Sequence, residues 1–127
     1  MEKIFYRRIL LAMVVRRFPE GVNSLTTAEL PLQILAHAHP SGIKVAAHRH
    51  RLLRRVTTTL GEAVVIIDGK IRVDVFTPQG KHCRRLVLKT GDLFVLYAGG
   101  HSLTVLKRAR FFEFKNGPFR DDRINLT

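Results

Sequence analysis

Apolar or alternating runs of about five to eight residues, each closed by Gly, Pro, Asn or Asp, follow one another through most of this chain. That rhythm constrains the fold more than any other feature. Runs this short suit strands and are too short for stable helices. LQILAHAH stops at Pro40-Ser41-Gly42. AVVII reaches Asp68-Gly69 and resumes as KIRVDVF. An Asp-Gly pair suits the two positive-φ positions of a type I′ turn, so a hairpin is expected there. Within KIRVDVF, Ile71, Val73 and Val75 alternate with Arg72 and Asp74, which predicts one buried face and one wet face. TPQGK turns the chain again, and CRRLVLK, DLFVL, SLTVL and ARFFEFK complete the series. No apolar spacing of helical period lasts beyond about two turns. The expected fold is therefore all-β, a sandwich or barrel of short antiparallel strands.

The run Ile9 to Val15 lies between two arginine pairs, Arg7-Arg8 and Arg16-Arg17. It is far short of the roughly 20 residues that span a bilayer, and no small-residue cleavage site follows it. It reads as a first buried strand. No transmembrane segment appears elsewhere, and no membrane partner is expected. An apolar strand in so small a protein leaves an adhesive edge unless covered. The expected remedy is a homodimer, with masking by residues 1–8 as the alternative. A chain of 127 residues makes one domain, here 1–127, with an N-terminal segment 1–8 and a tail 118–127.

Twenty-two Lys and Arg against ten Asp and Glu leave a formal charge of +12. A field of that sign attracts anions. The arginines are scattered as pairs, and only eight Phe and two Tyr are available to stack on bases, so a nucleic-acid partner is not expected. The single Cys83 excludes an internal disulfide and points to the cytosol. It reads as a small core residue, with a thiol activated by Arg84 and Arg85 as the alternative.

The stretch KVAAHRHRLLRR, residues 44–55, sets two histidines one residue apart among basic neighbours. If residues 46–50 are extended, His48 and His50 project from one face and can reach one cation. A second HxH occurs at His37 and His39, and such pairs also serve as hydrogen-bonded surface groups.

The pattern around that stretch resembles the first conserved motif of the cupin superfamily. Gly42 is followed by His48, Arg49 and His50, then by Glu62 and by Gly69 six intervening residues later. A second block, GDLFVLYAGGH, resembles the second cupin motif and ends on His101. Eleven residues separate His50 from Glu62, so RLLRRVTTTL would form a longer turn than the motif usually holds. In the second block Tyr97 stands where the motif has proline.

The resemblance implies a cupin-type jelly-roll β-barrel of two antiparallel sheets. It also implies a metal site formed by His48, His50 and His101, with Glu62 as fourth ligand. Neutral imidazoles and a carboxylate suit one divalent transition metal, Fe, Mn, Ni, Zn or Cu. The alternative is a polar barrel mouth without metal. A small ligand, expected to be anionic, would occupy the cavity. Arg54 is a candidate for gripping a carboxylate or phosphate. Glu113, if buried, needs a cationic partner, most simply an arginine; a solvent-facing Glu113 and an unrelated Arg54 are the alternative. Three classes follow: a metal-dependent cupin such as an oxygenase or sugar-type isomerase, a metal-free ligand-binding or sugar-modifying cupin, and a basic nucleic-acid module. The motif explains particular positions and favours the first two. The reaction itself stays open, because this architecture hosts many chemistries.

Overall fold

The computed structural model describes residues 1–126. Every regular element among them is a strand: β1 (Glu2–Tyr6), β2 (Ile9–Val15), β3 (Gly21–Ser24), β4 (Leu35–Ala38), β5 (Glu62–Phe76), β6 (His82–Lys89), β7 (Leu93–Leu96) and β8 (Gly100–Lys115). All pairings are antiparallel. The all-β expectation therefore holds.

The sheet is organised around β5. One flank carries β8 along almost its whole length. The other flank carries β7 opposite residues 62–65 and β6 opposite residues 70–76. Beyond β7 lie β2 and then β1, which completes a six-stranded sheet, while β3 and β4 form a separate two-stranded ribbon. The strand Ile9–Val15 is thus the second element. Residues 1–8 form β1 and a turn, and β1 masks the outer edge of β2, as in the alternative reading of that segment. The sequence-based reason for pairing two copies through that edge is removed.

Asp68-Gly69 does not end a strand. β5 runs straight through it, and the expected hairpin is replaced by irregularities in the pairing with β8 between Ile66 and Ile71. Likewise SLTVL and ARFFEFK are two halves of one strand, β8. The physical reason is that a bulge and a hairpin ask for the same local chemistry, a residue tolerant of positive φ. Gly69 has φ +95, and a Cβ placed there would meet the Arg108 carbonyl oxygen at 2.2 Å.

The bulge has a global effect because side chains alternate strictly along a strand. Val64 and Ile66 before it, and Ile71, Val73 and Val75 after it, all pack into one buried cluster with Leu11, Val14, Leu88 and Phe94. Even-numbered positions face the core on one side of the kink and odd-numbered positions on the other. The β5–β8 ribbon bends there, and the sheet curls into a half-barrel whose concave face holds this core. A smaller core of Met13, Val15, Ala63 and Val95 lies on the opposite face, with Leu25, Leu32 and Ile34 beside the β3–β4 ribbon packed against it.

The alternation expected in KIRVDVF is present, but Asp74 is not wet. It is 5% exposed because His82 and Arg85 contact one carboxylate oxygen at 2.7 and 2.8 Å, and Arg72 lies 3.6 Å from the other. TPQGK turns as expected, with the Thr77 amide donating to the Lys81 carbonyl at 2.8 Å. Residues 118–126 carry no regular structure and are exposed.

Replacing Gly69 should test the kink. Gly42→Ala meets only the cost of its left-handed backbone, about 1–2 kcal/mol, because nothing lies within 4 Å of the added carbon. Gly69→Ala adds a clash with backbone and should lose clearly more stability in urea unfolding. Equal losses would show that the bend does not depend on this residue.

Candidate functional site

Glu62 opens β5 and pairs with Lys115, while Val64 pairs with Glu113, near the C-terminal end of β8. Directly opposed residues of a strand pair share a face. Since Val64 lies in the main core, Glu62, Glu113 and Lys115 all belong to the core-facing side. His101 enters from the other end of the same ribbon, paired with Val75, also a core residue. Straight strands would hold Val75 and Glu62 roughly 40 Å apart. The bend brings them together: His101 Nε2 lies 2.9 Å from Glu62 Oε2.

The surroundings fix these groups. Phe94 stacks on the His101 ring, with 6.0 Å between centroids and 16° between planes. Asn116 accepts a hydrogen bond from the Gly61 amide at 2.6 Å and donates to the Thr59 carbonyl at 3.0 Å, which anchors the chain just before Glu62. The Lys115 ammonium lies 3.3 Å from Glu62 Oε1 and 3.7 Å from Glu113 Oε2. The side chains of Glu62 and His101 are 12% and 17% exposed.

The His101 ring and the Lys115 ammonium thus face two carboxylates, Glu62 and His101 nearly buried and Lys115 and Glu113 each 39% exposed. The His101 contact, followed by Lys115, holds the Glu62 carboxyl below its ordinary range in spite of opposing burial. The hydrogen bond to Glu62 leads the causes that raise the Lys115 ammonium. Nε2 of His101 lies against the carboxylate, and its Nδ1 is buried with no hydrogen-bond partner among the described residues.

Glu62, His101 and Glu113 each offer one ligand atom, and these atoms lie within 4.8 Å of one another. Among the described residues this is the one group of three or more that satisfies that distance. His48 and His50 are not in it. Residues 46–50 form no strand, and both histidines are exposed. Their rings pack edge to face at 5.2 Å, and His48 Nδ1 contacts the Ala46 carbonyl at 2.8 Å. The strand needed to aim them inward is missing, so two of the three expected histidines stay outside. Arg54 is exposed in the same segment. Glu113 is exposed and unrelated to Arg54, as in the alternative reading, and its neighbour is Lys115 rather than an arginine.

Glu113 was therefore singled out for another role, as a ligand-binding residue that would need a cationic partner if buried, and Lys115 was missed. The alternation in FFEFK places Glu113 and Lys115 on one face, but only the register with Glu62 reveals that they share a site. A cleft of about 600 Å³ opens beside Lys115, between residues 57–60 and 115–123, and Arg120, Asp121, Asp122 and Arg123 also line it. Comparison of the chain with protein-family models, with curated proteins and with solved structures finds no match.

The sign of the Glu62 shift sets a pH dependence. A carboxyl lowered on folding contributes stability that is complete above its unfolded value, about 4.5, and is lost as pH falls through the lower folded value. Urea unfolding should show wild type more stable than Glu62→Gln at pH 7, with the gap narrowing below pH 4.5. A gap independent of pH would mean that packing, not charge, holds this contact.

Proposed function

We propose that this chain is a small cupin-like barrel that binds one divalent transition metal through Glu62, His101 and Glu113, and a small anionic ligand in the cleft beside Lys115. The observation that carries the reading is the convergence of those three side chains from opposite ends of the β5–β8 ribbon. The donor set fits the ion: two carboxylates and one imidazole suit Mn, Fe or Zn better than a soft metal. In this reading the curled sheet is one part of a jelly-roll barrel, and the ligand set departs from the motif by taking Glu113 in place of His48 and His50. When bound, such an ion acts as a Lewis acid on an oxygen of a small substrate. Lys115, Arg120 and Arg123 outnumber Asp121 and Asp122 in the lining of the cleft and supply positive charge for an anionic group of that substrate.

A second reading rests on Lys115 itself. Its ammonium already lies between the Glu62 and Glu113 carboxylates, where a metal ion would otherwise sit, so the same cluster can act as a metal-free site in which His101 and Glu62 exchange a proton with a bound ligand.

Titration calorimetry with Mn²⁺ and Zn²⁺, on protein purified without an affinity tag and stripped by chelator, separates the two. The metal reading expects saturable binding that His101→Ala and Glu113→Gln each weaken at least about tenfold, the lower end of what even an outer partner is worth at a metal site. His48→Ala and His50→Ala should leave it unchanged. Loss of binding in His48→Ala would restore the three-histidine set. No binding by the wild type would leave the metal-free reading.

A further inference from the structure

The segment that does not join the site has a surface chemistry of its own. Every residue from 41 to 60 is exposed, and none lies in a strand. Connections beyond about 12–15 residues without regular structure are uncommon in compact domains and usually carry function or stay mobile. Residues 30–61 contain no Asp or Glu, whereas residues 44–55 contain Lys44, Arg49, Arg51, Arg54 and Arg55. None of these five cations forms an ion pair among the described residues. Large aliphatic side chains interleave with them: Val45 is 67% exposed, Val56 74%, and Leu52 fully exposed, with Ile43 and Leu53 also outside the core.

We propose that residues 43–56 form a peripheral membrane-binding segment that takes anionic phospholipid headgroups on its Lys and Arg and seats its aliphatic side chains at the boundary with the acyl chains. Cations alone would suit any polyanion; the aliphatics decide between them. Residues 40–60 include no Phe, Tyr or Trp. Single-stranded nucleic acid is bound chiefly by stacking on aromatic rings within a basic groove. Against a phosphate backbone the exposed Leu and Val side chains would stay in water. At a bilayer surface both halves of the pattern are used, since stable attachment of a peripheral segment needs charge attraction together with buried apolar area. This revises the expectation of no membrane partner, which rested on the lack of a spanning segment. It does not depend on the metal reading, because residues 43–56 and the Glu62–His101–Glu113 group share no side chain.

Co-sedimentation of the full chain with vesicles tests it. Two lipid compositions are needed: phosphatidylcholine alone, and phosphatidylcholine with phosphatidylserine at roughly one lipid in three. Binding is expected only to the second, and it should weaken as salt shortens the screening length. The double variant Arg54→Gln/Arg55→Gln should lose about fivefold per charge removed. Leu52→Ser/Leu53→Ser should also weaken binding, with the salt dependence retained. All four substitutions lie at exposed positions, and unchanged circular dichroism confirms the fold. No binding to the serine-containing vesicles, equal binding to both compositions, or full binding by the charge variant would overturn the proposal. So would binding to single-stranded RNA in the absence of vesicle binding, which would reassign the segment to nucleic acid. Metal titration of the same variants keeps the two proposals separate, since neither pair of substitutions touches a proposed ligand.

Discussion

One bend in one ribbon governs the rest of this molecule. β5 and β8 together are long enough that their ends would be far apart if straight, yet His101 at one end lies against Glu62 at the other. The irregular pairing around Gly69 both turns the ribbon and shifts its alternation by one. Without the shift, Ile71, Val73 and Val75 would face away from Val64 and Ile66, and the largest core would divide in two. His101 shares a face with Val75, so it would turn outward as well. The buried core and the candidate site thus have the same geometric cause.

The distribution of charge follows from the fold in a similar way. Of the ten acids, Glu2, Glu62, Asp68, Asp74, Asp92 and Glu113 are held in ion pairs between or along strands. Asp92 illustrates how: it accepts from the Lys89 amide and pairs with Arg16, tying the β6–β7 junction to the end of β2. Acids are used where strands must be pinned. The unmatched positive charge is left on surfaces without acids, most densely in residues 44–55. Five of the 22 Lys and Arg thus lie together, without an acid among them, where the chain has no regular structure.

Much of the strand pattern was legible because burial writes itself into local order. CRRLVLK and DLFVL appear as β6 and β7, and Ile9–Val15 is a buried strand. The errors are informative. Asp68-Gly69 was misread because a sharp reversal and a bulge need the same residues, and only the length of the partner strand tells them apart. Residues 46–50 were read as extended with both imidazoles turned inward, yet no neighbouring strand pairs with them. An HxH spacing places two rings on one face only where a sheet defines that face.

By itself, then, the sequence determined the all-β class, the positions of most strands and the excess of positive charge, and it singled out Glu62 and His101, which the fold brings into contact. Those features are written locally, in the alternation of side chains, in turn residues and in composition. Tertiary structure alone decided that Glu113 and Lys115 complete the cluster, that His48, His50 and Arg54 remain at the surface, and that Asp74 is covered by its own cations. The cluster depends on the register of β5 against β8, the cover of Asp74 on that of β5 against β6, and the place of the histidines and Arg54 on the lack of any strand pairing over residues 41–60; register is set by how the whole sheet buries its apolar face.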